Sequence, residues 1–422
     1  MKNKISALFL CAIMIFSILA MSSCYLLNDG VVEGLLSDSD GDKNITIEGG
    51  DTNSITITGA ENSEMLAASK GLLSSVSIRC KFEAQRLTGK GNETYYAEGS
   101  GVIYKLDKTK GDAYIITNYH VINDEQANSK ISKEINVSLY GQSNCICEEC
   151  CPDQTSKVSR YSMKAEYVGG SERYDIAVLK ITDNVHLMAS NAVAANFANS
   201  NEVAVLEKVV AIGTPGGNAI SATVGHINVD SEFIDFDGNR DLEFRVMRTD
   251  AAVNSGNSGG GLFNVEGDVI GIVNAKLTND TVENIGYVIP SNIAKSVAES
   301  IIYYCDGKET THPKKIALGI YLAHTDIKSE YDTETGKVHL VETVYVDKYD
   351  DETHVREFLK IGDVINSATI DGVTYKITRD FHIIDCMLNA RENSKVIINV
   401  TRNGQTIDVE IPINDSMLKE IE

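Results

Sequence analysis

The stretch NSGNSGGGLF, Asn254 to Phe263, sets one hydroxyl, Ser258, among Gly256, Gly259, Gly260 and Gly261. A turn needs one glycine, sometimes two. More than that predicts a close approach to the backbone. One candidate is a substrate carbonyl attacked by Ser258, with backbone N–H groups holding the resulting oxyanion. The bland reading is a flexible surface loop. A serine is a poor nucleophile without a base, and the base needs an orienting partner, so the choice turns on whether the chain supplies both.

Of eight histidines, His120 follows an apolar strand and precedes an apolar pair, in AYIITNYHVIN. A side chain at a strand end is held by the sheet, as a general base must be. The others, His186, His226, His312, His324, His339, His354 and His382, lie in unremarkable surroundings and read mostly as surface residues. The orienting acid should be buried, because it stabilises an imidazolium. Asp175 stands at the mouth of the apolar strand IAVLKI; Asp250, eight residues before Ser258, is a rival that could instead brace the loop.

The elements that must position these residues are short, β-branched runs: SSVSIRCKF, SGVIYKL, AYIITNYHVI, INVSLY, DIAVLKI, VVAIGTP, EFRVMRTDA and GDVIGIVNA. Separated by turn residues, they predict an all-β barrel or sandwich. A helix is expected over SNIAKSVAESIIYYC, to Cys305, followed by a linker over 306–315. Residues 316–422 read as a second, mixed unit with strands and two helices, over DDETHVREFL and RDFHIIDCML.

The formal charge of −22 argues against a nucleic-acid partner. Two lysines, an apolar run from Ile5 to Met21, then Ser22-Ser23-Cys24 have the layout of an export signal over 1–23. The site resembles that of bacterial lipoproteins, which predicts lipid on Cys24; an uncleaved membrane anchor is the alternative. Residues 24–64, rich in acids and small polar residues, predict a solvated tether. The remaining body is then extracytoplasmic, on the outer face of the cell membrane.

At this point the chain resembles the HtrA/DegP family of trypsin-like serine proteases. The resemblance rests on GSGVIY (99–104), ITNYHVI (116–122), YDIAVLKI (174–181), VVAIGTPGG (209–217), RTDAAVNSGNSGGGLFN (248–264) and IGYVIPSN (285–292), in the family's order. It implies a mainly β fold: a chymotrypsin-like double β-barrel over 65–305, followed by a mixed α/β PDZ-like domain. It implies His120 as general base, Asp175 as its orienting acid and Ser258 as nucleophile. Gly256, Asn257 and Ser258 form the oxyanion hole in this reading, while Gly259 and Gly260 leave room for substrate. The family usually has proline where this chain has Gly261, which predicts a less stiff loop. The pocket before the cut would be lined by Ala252, Val273, Asn274 and Ala275, with no acid among them. Small to medium aliphatic side chains are therefore expected there.

ALGI, with Leu318, Gly319 and Ile320, resembles the carboxylate-binding loop of PDZ domains, and LKIGDVINSATIDG resembles their glycine-aspartate turn. Such a groove takes peptide C-termini by strand addition. CICEECC places Cys145, Cys147, Cys150 and Cys151 within seven residues, an insertion at an expected hairpin tip. Disulfides, a soft-metal thiolate site and redox-active free thiols are the three readings. Cys80, Cys305 and Cys386 read as buried residues.

The whole predicts a cell-envelope serine endopeptidase acting on unfolded or damaged exported proteins, with no cofactor for hydrolysis. The resemblance implies a homotrimer. Two alternatives stand beside it: a non-cleaving peptide-binding or chaperone-like lipoprotein, and a metal- or redox-sensing lipoprotein built on the cysteine loop.

Overall fold

A computed structural model describes residues 45–49, 53–57, 63–86, 91–142, 161–234, 244–275 and 285–421. The export signal, Cys24, most of the tether and the cluster of Cys145, Cys147, Cys150 and Cys151 lie outside the described residues. Among the described residues no helix is long and apolar enough to cross a membrane.

After a two-stranded pairing of β1 (Ile45–Gly49) and β2 (Asn53–Ile57) comes a helix, α1 (Ser63–Ser74), then two closed six-stranded barrels. The first is built from β3 (Ser75–Gln85), β4 (Asn92–Asp107), β5 (Asp112–Thr117), β6 (Glu134–Leu139), β7 (Met163–Ser171) and β8 (Ile176–Ile181), closed in the order β3-β4-β5-β8-β7-β6. Burial alternates along β3, which shows one face to solvent. β8 is buried on both faces, inside the barrel and under a later helix, so it reads as a continuous apolar run.

The second barrel closes in the order β10-β11-β14-β13-β12-β9. Its strands are β9 (Lys208–Gly213), β10 (Ser221–Ile234), β11 (Phe244–Thr249), β12 (Gly261–Phe263), β13 (Val269–Asn274) and β14 (Gly286–Pro290). Gly261 pairs with both Ile212 and Ile272, so this end of the serine loop is fixed in the ladder despite the missing proline. The Phe263 ring fills the space beside it: a Cβ at 261 would sit 2.5 Å from Phe263 Cε2.

The expected helix is α2 (Ser291–Cys305); it buries Ile293, Ala294, Val297, Ala298 and Ile301, spaced for one helical face. Beyond it, β15 (Lys314–Ile316) pairs with β22 (Leu418–Glu420). A sheet follows in the order β16-β17-β18-β20-β21, with β19 on β18. Its strands are β16 (Ile320–Tyr331), β17 (Val338–Tyr349), β18 (Val364–Ile370), β19 (Val373–Lys376), β20 (Val396–Arg402) and β21 (Gln405–Ile411). One helix, α3 (Asp380–Met387), packs against it. The helix expected over 350–359 is only a 3-10 turn, His354–Glu357. The molecule is mainly β, as expected: two barrels and a further sheet domain. Cys80, Cys305 and Cys386 are buried and unpaired, and burial pushes the Cys80 thiol up to about 12.

The sheet domain is tied to the second barrel. Arg245 of β11 forms an ion pair with Asp385 of α3, with both residues more than nine-tenths buried. The Arg245 guanidinium also lies 4.3 Å above the Phe381 ring. Beside it is His382, where burial, then Arg245 and Arg379, push the imidazole down to about 3 from its ordinary 6.5. A group with a lowered folded pKa of this kind costs nothing while the unfolded histidine is neutral. Once pH falls through 6.5 the unfolded chain takes a proton that the folded chain refuses, so stability is lost toward acid. From about pH 8 to about pH 5 the expected loss is about 2 kcal/mol. Urea midpoints at both pH values should show it, and His382→Gln should remove that part of the difference.

Candidate active site

His120 lies on a single helical turn, Tyr119–Ile122, leaving β5. Asp175 is the last residue of the turn into β8; its N–H donates to the Glu172 carbonyl at 3.1 Å and its φ is +48°. That conformation is uncommon outside glycine, and Asp and Asn tolerate it best. Both belong to the first barrel. Ser258 sits in the loop between β11 and β12 of the second.

The cleft between the barrels brings the three together. The His120 N–H donates to Asp175 Oδ1 at 2.9 Å, and His120 Nδ1 lies 2.7 Å from Asp175 Oδ2. Nε2 lies 2.9 Å from Ser258 Oγ. Because the carboxylate can only accept, Nδ1 carries the imidazole proton and Nε2 accepts from the hydroxyl. Asp250, the rival acid, instead accepts from the His226 N–H at 2.6 Å and braces β10.

The glycines of the loop have a different purpose from the one expected. A Cβ on Gly259 would meet the Ser100 carbonyl at 2.2 Å, and one on Gly260 the Ile212 carbonyl at 2.2 Å. The close approach is made by the protein's own backbone, not by room left for substrate. Gly256, with φ +96°, would likewise meet the Thr214 carbonyl at 2.2 Å. The Asn257 N–H closes the turn on the Asn254 carbonyl at 2.9 Å, so it is spent inside the loop. This sets Asn257 apart from the expected trio: among the described residues the N–H groups of Gly256 and Ser258 have no partner.

The pocket expectation is also corrected in part. Ala252 is exposed, and the Ala275 N–H reaches Ser258 Oγ at 3.3 Å. Val273 and Asn274 are at 0% exposure, closed off from the surface. The Val273 side chain joins the apolar cluster of the second barrel. Asn274 Nδ2 donates to Asp175 Oδ2 at 2.7 Å, a third donor on that carboxylate.

Sequence reasoning missed this role, and missed a second residue. Ser100, fully buried in β4, donates its hydroxyl to the Gly256 carbonyl at 2.7 Å, and its N–H donates to the Ser258 carbonyl at 2.8 Å. One serine of the first barrel thus pins both ends of the Gly256–Ser258 arc. Asn118 Nδ2 adds a bond to the Asp175 carbonyl at 2.8 Å. A hydrogen bond to a charged group contributes about 1.5–3 kcal/mol. Asn274→Ala should therefore lower kcat by roughly 10- to 100-fold, while leaving KM nearly unchanged. Steady-state kinetics on a peptide substrate checks this.

Leu318, Gly319 and Ile320 lie in the sheet domain, outside the cleft. Leu318 is buried in that domain's core, Gly319 has φ +65°, and Ile320 opens β16.

A trypsin-like peptidase domain matches residues 99–272. The serine protease Do-like HtrA of Lactococcus lactis subsp. lactis (strain IL1403) is 31% identical over 332 residues, 76% of this chain and 71% of that protein. The serine protease Do-like HtrA of Bacillus subtilis (strain 168) is 38% identical over 213 residues, 50% of this chain and 40% of that one. A solved structure described as HtrA-type protease AlgW with decapeptide is 22% identical, with a TM-score of 0.48, over 84% of this chain and 97% of its own. An imidazole hydrogen-bonded to a serine between two barrels, on a chain with these relatives, has one reading: this is a serine endopeptidase, and the chain belongs to the HtrA family of Do-like serine proteases.

Proposed function

We propose that Ser258 is the nucleophile, His120 the general base and Asp175 its orienting acid. The observation that carries this is the continuous run of hydrogen bonds from Asp175 through His120 to Ser258, 2.7 and 2.9 Å long. Ser258 Oγ attacks the scissile carbonyl as His120 Nε2 takes its proton. Asp175 stabilises the imidazolium. The Gly256 and Ser258 N–H groups receive the oxyanion. His120 then passes its proton to the leaving amine, and water repeats the sequence on the acyl-enzyme.

The protease unit is 65–305 and the substrate class is unfolded or damaged exported protein. Export, with attachment at Cys24, is supported by the signal layout of residues 1–24. The sheet domain, 316–422, binds peptide C-termini in this reading. Supporting it, β16 is the end strand of its sheet, so one edge is open to strand addition, and α3 packs beside it. The test of the catalytic reading is casein degradation together with labelling by a fluorophosphonate. Labelling with cleavage supports it. If neither occurs, even with hydrophobic C-terminal peptides added, the non-cleaving binding protein takes its place. Titrating the full chain with those peptides tests the groove, and no binding at millimolar concentration rejects it.

A further inference from the structure

His324 reads in the sequence as an unremarkable polar position. The fold gives it two carboxylates. Register places His324 of β16 opposite Val344 of β17, so Glu342, two residues back along β17, lies diagonally across on the same face. Asp380, the first residue of α3, closes the set from the helix side. His324 Nδ1 lies 3.2 Å from Asp380 Oδ2 and 3.6 Å from Glu342 Oε2, and all three ligand atoms lie within 4.8 Å of one another.

The two separations from His324 Nδ1 fit a metal ion. Two ligands held at about 2.0–2.1 Å from zinc at the tetrahedral angle are roughly 3.3 Å apart. The donors are also preset. The Glu342 side chain is only 7% exposed, and it is aimed by Arg379 Nε on Oε1 and the Asp380 N–H on Oε2, each at 3.0 Å. Such outer bonds orient the carboxylate and leave lone pairs for a cation. Two carboxylates this close repel each other, and Arg379 offsets only one of the two charges. A divalent cation offsets the remainder. An imidazole with two carboxylates suits zinc; magnesium and calcium prefer an all-oxygen set.

We propose that His324, Glu342 and Asp380 form a zinc-binding site in the sheet domain, with three protein ligands and a further position open. The ion would fasten α3 to the β16–β17 hairpin. The site stands whether or not the groove beside it takes peptides.

The test is isothermal titration of the full chain with zinc chloride. Cys145→Ser, Cys147→Ser, Cys150→Ser and Cys151→Ser are made first, so that thiolates cannot compete. One equivalent is expected to bind, with affinity at least tenfold weaker in His324→Ala and in Asp380→Asn. His324 is exposed, so its replacement spares the fold; circular dichroism checks this. Cobalt(II) in place of zinc should give visible bands that the His324→Ala variant lacks. Absence of binding at micromolar zinc overturns the site, as does equal binding by wild type and His324→Ala. A change in stability on His324→Ala without zinc uptake would leave an ion-pair cluster and also overturn it.

Discussion

Ser258→Ala is expected to lower kcat on casein or a peptide by about 10^6-fold, with KM and thermal unfolding nearly unchanged. The side chain is 3% exposed and loses a single oxygen. What holds the loop is main chain: the Ser258 carbonyl keeps its bond from the Ser100 N–H, and the Gly256 carbonyl keeps the Ser100 hydroxyl. The two partnerless N–H groups therefore stay in place. They should leave a residual rate about 10^3–10^4 times that of water. Fluorophosphonate labelling should disappear with the activity. A variant that still cleaved or was still labelled would move the nucleophile away from Ser258.

Asp175→Asn is expected to cost about 10^4-fold in kcat, with a loss of stability of only about 1–3 kcal/mol. The backbone tolerates the exchange, because asparagine accepts a φ of +48° about as well as aspartate. The hydrogen bonds do not. The carboxylate serves three donors on two oxygens: the His120 N–H, His120 Nδ1 and Asn274 Nδ2. An amide turned to keep the His120 N–H presents its NH2 to Nδ1, which must then accept. The imidazole proton moves to Nε2 and points at Ser258, so the base can no longer take the hydroxyl proton. Asn274 can follow by turning over, since its Oδ1 is buried without a partner and would receive the new NH2. The variant thus settles into the wrong tautomer, with the turned Asn274 NH2 buried where its Oδ1 had no partner. Kinetics beside a denaturant titration checks both halves. A loss below about tenfold would remove Asp175 from the catalytic chain.

In the sequence His120 and Asp175 announced themselves at the ends of apolar strands, and Ser258 announced itself among glycines. Asn274 and Ser100 did not. Asn274 closes β13 in GIVNA and Ser100 lies within β4 in GSGVIY, and the role of each comes from a partner 99 or 156 residues away. Nothing in the neighbouring residues records that pairing. The glycines of the serine loop were noticed but misassigned, because the sequence cannot say which backbone comes close. Helix α1 was missed for a related reason. Its Gly71 weakens the helical pattern, yet it lets the helix lie close on the second barrel, where a Cβ would be 2.4 Å from Ile212 Cδ1. The cluster at His324 was invisible because residues 324, 342 and 380 meet only through register and helix docking.

The Gly261–Phe263 contact orders the substitutions open to this loop over its history. With the Phe263 ring against position 261, a side chain introduced there must displace that ring, whereas trimming Phe263 opens the site. A change at 261 should therefore be tolerated more readily once residue 263 is smaller. Proline would also remove an N–H from a residue paired with both Ile212 and Ile272. The two positions are coupled by packing, so the effect of a change at either depends on the residue at the other.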